Sequence, residues 1–165
     1  MLNRNVRIVD DRRVFRSRSD AADRLHQQLR ALPTQFLVYM LDAAWFVVGP
    51  TGLFVVTDQG DDPSGACTRA ASQAQTVRSE LADELHWVPF VDAIVVGDGR
   101  KLDIGTVSDC ALIPRSLLRA TLCDGPKTVD DESLARLAMV GLRRVYPRGD
   151  SIAGWTTGSS DPPTA

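Results

Sequence analysis

At 165 residues and a formal net charge of −2, the chain is sized for one domain, because two cores of half that length would each be marginal. Its 44% hydrophobic and 24% charged residues are those of a soluble globular protein and exclude a chain that is disordered throughout. No apolar run reaches the roughly 20 residues that span a bilayer, and the polar start MLNRNVRIVDDRRVFRSRS lacks the apolar stretch of a secretory signal, so a cytoplasmic location away from membranes is expected.

Residues 1–18 read as a basic arm. Residues 1–30 carry eight Arg against four acids, whereas residues 31–124 carry six bases against twelve acids. Val6, Ile8 and Val9 suit a short strand, and DDRRVFRSRS reads as a solvated run. Arg12, Arg13, Arg16 and Arg18 are the candidate nucleic-acid-binding residues, since guanidinium groups suit bidentate phosphate contacts. A solubilising role is the simpler reading, because Asp10 and Asp11 interleave and Phe15 is the lone aromatic.

Ser19 or Asp20 offers an N-cap for a helix to about Ala31. Ala22, Leu25, Leu29 and Leu32 share one face of it. Phe36–Leu41 is a strand by composition. Trp45–Val48 and Leu53–Val56 form a hairpin around Gly49-Pro50-Thr51-Gly52, where Pro fixes φ and Gly supplies unusual dihedrals. Both arms are apolar at every position, which predicts strands covered on both faces. After the polar loop Asp58–Gly65, a helix is expected from about Ala66 to Leu85, with Ala70, Ala74, Val77, Leu81 and Leu85 at three- and four-residue steps. Phe90–Val96 is a strand, followed by short strands at Leu102–Val107 and Ala111–Ile113. Pro114 suits the first turn of a helix over Arg115–Cys123. A last helix runs to about Val145, capped by Thr128, Asp130 or Asp131, with Leu134, Leu137, Ala138, Leu142 and Val145 on one face. Arg148–Ala165 reads as a disordered tail, with Trp155 as its one residue suited to docking. The fold class expected is α/β: a mixed central β-sheet flanked by helices, in a single domain over residues 19–147.

The segment Ala43–Gln59, AAWFVVGPTGLFVVTDQ, resembles the core of the nuclease-related (NERD) domain, a family similar to the restriction-endonuclease-like PD-(D/E)XK fold. The family pattern runs Ile-Asp-His, two aliphatic residues, Val-Gly-Pro-x-Gly, an aliphatic, Phe-Val, an aliphatic, then Glu-x-Lys. The flanking elements also match, so the likeness covers about residues 19–123.

The resemblance implies a divalent-metal nuclease. Two or more carboxylates hold Mg²⁺, which polarises the phosphate and lowers the pKa of a bound water, and a Lys stabilises developing charge. Here the catalytic positions are degenerate. The Asp position falls on Ala44 and its following His on Trp45, while the Glu and Lys positions fall on Thr57 and Gln59. The family's first-helix acid has candidates in Asp20 and Asp23, without the Gly-Glu pair that usually carries it. The fallback residues for a relocated site are Asp42, Asp58 and Lys101. Asp42 lies two residues before Ala44, on the same strand face but displaced by about 6–7 Å. Asp58 follows Thr57 and so faces the other way unless a bulge redirects it.

Other chemistry is sparse. His26 falls on a polar helix flank and His86 at a helix end. Cys67, Cys110 and Cys123 are an odd number at wide spacing, neither a disulfide framework nor a metal pair, and read as small buried or free thiols. Asp58, Asp61 and Asp62 lack the spacing of a calcium loop.

Three functions follow. The first is a non-catalytic NERD-like domain that binds a protein partner, or nucleic acid weakly, and needs no cofactor. The second is a nuclease with a relocated site and Mg²⁺ or Mn²⁺. The third is an interaction module unrelated to nucleases.

Overall fold

The computed structural model describes residues 20–41, 43–85, 87, 90–97, 105–107 and 109–145. The basic arm, the tail with Trp155, Asp42, His86 and Lys101 lie outside the described residues. In chain order the elements are α1 (Asp20–Arg30), β1 (Leu37–Met40), β2 (Trp45–Gly49), β3 (Gly52–Asp58), α2 (Pro63–Glu84), β4 (Val91–Gly97), β5 (Gly105–Val107) and β6 (Cys110–Pro114). A 3-10 turn (Arg115–Leu117) then runs into α3 (Leu118–Cys123), and α4 (Asp131–Val145) closes the described fold.

The six strands form one mixed sheet in the order β1-β2-β3-β4-β6-β5. Strands β1, β2 and β3 make an antiparallel meander. Strand β4 lies parallel to β3, with α2 as the crossover, and β6 lies parallel to β4. Strand β5 caps the edge, antiparallel to β6. Asp109, at φ +61°, takes the left-handed position in the tight turn between them, a conformation that Asp tolerates better than most residues.

The apolar hairpin arms are covered on both faces, as their composition predicts. Phe46, Val48, Leu53 and Val55 point to one core, shared with Ala70, Ala74, Val77 and Leu81 of α2 and Leu137 and Val140 of α4. Trp45, Val47, Phe54 and Val56 point to the other, shared with Leu25 and Leu29 of α1 and Leu118 and Leu122 of α3. Each such side chain fully buried contributes roughly 1.5–3 kcal/mol, so the continuous apolar run is what seats the hairpin mid-sheet.

The hairpin turn itself is fastened. Gly49 pairs with Gly52, leaving Pro50-Thr51 as a two-residue turn. Gly52 has φ +153°, where L side chains are strained. A Cβ on Gly49 overlaps the Phe36 ring. The Pro50 carbonyl accepts from the Thr128 and Val129 amides at 2.8 and 3.0 Å. The Thr51 hydroxyl donates to the Leu122 carbonyl, and the Thr128 hydroxyl donates to the Thr51 carbonyl at 2.8 Å. The turn thus ties α3 and the approach to α4 onto the sheet.

Several boundaries depart from the expectations. Helix α2 starts at Pro63 rather than near Ala66, because Asp62 caps it by accepting from the Gly65 amide at 2.9 Å and Pro63 occupies the first turn. Strand β4 begins at Val91 and leaves Phe90 outside it, 62% exposed. Pro114 ends β6 with extended backbone, and the first helical turn after it is 3-10. Asp130 caps α4 by accepting from the Ser133 amide at 2.7 Å, which holds its carboxyl below the usual range. On α4 the buried stripe includes Val140, 5% exposed, while Ala138 is half-buried. Among the described residues, no helix is long and apolar enough to cross a membrane.

Candidate functional site

The β2 start and the β3 end meet at one end of the sheet. Trp45 pairs with Val56, so one rung further Ala44 stands opposite Thr57. The Thr57 hydroxyl donates to the Ala43 carbonyl at 2.9 Å, and the Leu41 amide donates to the Ala44 carbonyl at 2.8 Å. A shallow cavity of about 70 Å³ opens here. Ala22 and Leu25 of α1 form one wall, Ala43, Ala44 and Trp45 the floor, and Thr57 and Asp58 the far side.

Two of the three positions singled out by the resemblance, Ala44 and Thr57, therefore line this cavity. Gln59 does not line it. Its amide continues the sheet by donating to the Val96 carbonyl at 2.8 Å, and its Oε1 is buried with no hydrogen-bond donor. Ala44 is 5% exposed and belongs to the core shared with α2.

Asp58, the described fallback acid, is fully engaged. The β3 ladder is continuous through Thr57 and Asp58, opposite Val95 and Val96, so their side chains leave opposite faces of the strand, and both residues border the cavity at the strand end. The Asp58 Oδ1 accepts from the Gly60 amide at 2.9 Å. Its Oδ2 accepts from Arg115 Nη2 at 2.7 Å, with side chains only 14% and 13% exposed. Arg115 also donates to Gln28 Oε1 at 3.4 Å. One guanidinium thus joins β3, α1 and the 3-10 turn.

His26 is not a plain surface residue of a polar flank. It is half-buried and its ring stacks on Trp45, centroids 4.5 Å apart and planes 23° from parallel. Trp45 stands where the resemblance places a His.

Among the described residues, the arrangement does not fit a divalent cation. Mg²⁺ asks for oxygen ligands, with carboxylates foremost. Around the cavity, Ala44 packs into the core shared with α2, the Thr57 hydroxyl already donates to a carbonyl, and the Asp58 carboxylate is already paired with a guanidinium. Among the described residues, no group of three or more His, Cys, Asp or Glu side chains is placed to hold a metal ion. Asp42, Lys101 and the four arm arginines (Arg12, Arg13, Arg16 and Arg18) lie outside the described residues.

The thiols offer no nucleophile. Cys67 on α2 and Cys110 on β6 are each 1% exposed in the same core. Burial and a hydrogen bond with Cys67 push the Cys110 thiol up to about 12. Burial also raises Cys123. A reactive cysteine needs the opposite, a lowered pKa and access.

Sequence reasoning did not single out Arg115. Its position was nevertheless a signal: a cation in the first turn after Pro114 opposes the helix dipole, which favours a carboxylate nearby to compensate. No family model, curated protein or solved structure matches the chain.

Proposed function

We propose that the chain is a NERD-like domain of the restriction-endonuclease-like class that has lost its catalytic set and works by binding, to a protein partner or weakly to nucleic acid. The order of elements supports this reading: a helix, a three-stranded meander, a crossover helix and a parallel fourth strand follow the order that the hairpin resemblance implies. The observation that carries the loss of catalysis is the cavity at the end of β2 and β3. It is lined by Ala44 and Thr57, and its neighbouring acid, Asp58, is held by Arg115. Among the described residues, no pair of carboxylates lies there to hold the ion of a metal-activated water.

The test is incubation of the purified chain with supercoiled plasmid and Mg²⁺ or Mn²⁺. The expected result is intact plasmid. Metal-dependent cleavage that disappears in Asp42→Ala overturns the proposal in favour of a relocated nuclease site.

A further inference from the structure

Helix α2 and strand β6 bring two thiols together. The β4–β6 register sets Cys110 opposite Ala93, and both residues belong to the core shared with α2. Cys67, one turn into α2, belongs to the same core. Each cysteine is 1% exposed, and the two thiols are hydrogen-bonded to each other. Cys123 stands apart. It packs against the other core, where α3 covers the opposite face of the sheet.

Three cysteines allow three pairings, and the fold admits one of them. A disulfide joins Cα atoms about 4.4–6.8 Å apart whose Cβ atoms point toward each other. The sheet lies between Cys67 and Cys123. Cys110 lies in the sheet but its side chain leaves the face away from α3. Only Cys67 and Cys110 meet. In an unfolded chain the preference reverses, because closure favours the shorter loop. Cys110 and Cys123 are 13 positions apart, and Cys67 and Cys110 are 43 apart. Preference for the longer loop therefore reports the native α2–β6 contact.

The same contact couples redox state to stability. A fold that holds two thiols together favours the bond between them, and the bond favours the fold to the same extent. Neither thiol is a ready nucleophile while buried. Exchange therefore runs through local openings of the α2–β6 contact and is slow in both directions.

We propose that Cys67 and Cys110 form a redox latch, closed to a disulfide by a small-molecule disulfide oxidant and reopened by a thiol reductant, which ties the crossover helix α2 to β6. One protein thiolate attacks a sulfur of the oxidant, giving a mixed disulfide and one released small thiol. The second protein thiolate attacks the protein sulfur of that bond, forming Cys67–Cys110 and releasing the second small thiol. The cysteines lose two electrons and two protons, and the oxidant takes them up. The latch lies in the core and not at the cavity, so it is independent of the binding role proposed above.

The experiment holds the full chain with oxidised glutathione in dilute urea, below the unfolding midpoint, and repeats the exchange in concentrated urea. Remaining thiols are then alkylated, and the products are read by intact mass and peptide mapping. In dilute urea the expected product has lost two hydrogens, with the bond mapped to Cys67 and Cys110 and Cys123 alkylated. In concentrated urea Cys110–Cys123 is expected to dominate. The latched chain is expected to melt roughly 5–10 °C above the reduced one, and dithiothreitol is expected to reverse the shift. Cys123→Ser is expected to behave as wild type. Absence of an internal bond, a dominant bond to Cys123 in dilute urea, the same pairing in both urea concentrations, or a latched chain that melts no higher than the reduced one overturns the proposal. Each of these readouts is made on the wild-type chain, so none depends on a cysteine variant folding.

Discussion

Arg115 and Asp58 are joined by a 2.7 Å ion pair that fixes the end of β3 to the start of the 3-10 turn. Both side chains are largely withdrawn from water, so each depends on the other. Arg115→Ala leaves the Asp58 carboxylate with only the Gly60 amide and also removes the bond to Gln28. We expect a loss of about 2 kcal/mol, the scale of a hydrogen bond to a charged group left unmet, read by urea denaturation. Asp58→Asn keeps one oxygen, enough for either the Gly60 amide or the Arg115 guanidinium, and turns its NH2 toward the other donor, so it is expected to lose a similar amount. Either variant as stable as wild type contradicts this assignment of the pair.

Asp92 titrates in the opposite sense to Asp130. Burial raises its carboxyl above the ordinary range, because partial removal from water penalises the charged form. A carboxylate with a folded pKa above its unfolded value binds protons more tightly in the folded chain, so stability falls as pH rises through that interval. Above the interval the full cost is present. Asp92→Asn is therefore expected to melt higher than wild type at pH 7, with the difference shrinking as pH falls through the carboxylate range. A difference that grows on acidification contradicts the sign.

The fold was legible where the sequence repeated one message. The apolar runs Trp45–Val48 and Leu53–Val56 announced strands covered on both faces, and Gly-Pro-Thr-Gly announced the turn between them. The α2 stripe from Ala70 to Leu81 announced a helix against a sheet. Boundaries were less legible because they depend on single side-chain bonds. Asp62 moves the α2 start by capping Gly65, and nothing periodic marks it. The cavity was legible only as an absence: Ala44 and Thr57 occupy positions where a resemblance expects carboxylates. The His26–Trp45 stack was not legible, since it joins residues from two elements whose docking no local pattern encodes. The Asp58–Arg115 pair spans 57 residues of sequence and is set by the parallel β3-β4-β6 arrangement, which composition alone leaves open.

The thiols provide a check on core packing. Cys67 and Cys110 share one core and are both 1% exposed, with Cys110 pushed up to about 12. Cys123 on α3 is half-buried, and its thiol is raised by burial but still reaches solvent. Alkylation follows the thiolate. Iodoacetamide at pH 8 is therefore expected to modify Cys123 alone in the native chain, slowly, and all three cysteines in urea, as read by intact mass. Rapid native labelling of Cys67 or Cys110 shows that the α2–β6 contact opens readily.

The cavity can be asked directly whether it has the geometry of a metal site. Ala44 and Thr57 face each other across adjacent antiparallel strands, where opposed Cβ atoms lie about 4.5–5.5 Å apart. Carboxylates grown from both reach a single cation between them, at the ligand distances of roughly 2.0–2.6 Å that Mg²⁺ and Ca²⁺ sites use. The triple variant Ala44→Asp, Thr57→Glu, Gln59→Lys supplies the set that the resemblance implies. Without metal it is expected to melt below wild type, because Ala44 is 5% exposed and the new carboxylates are buried and mutually repulsive. With Mn²⁺ at a hundredfold excess over Kd, binding to the folded state alone adds about 2.7 kcal/mol. Calorimetry is therefore expected to show a Mn²⁺-dependent rise in Tm for the variant and none for wild type. A variant that folds, as judged by circular dichroism, yet gains no Tm with Mn²⁺ argues that these positions do not converge as a NERD-like scaffold requires.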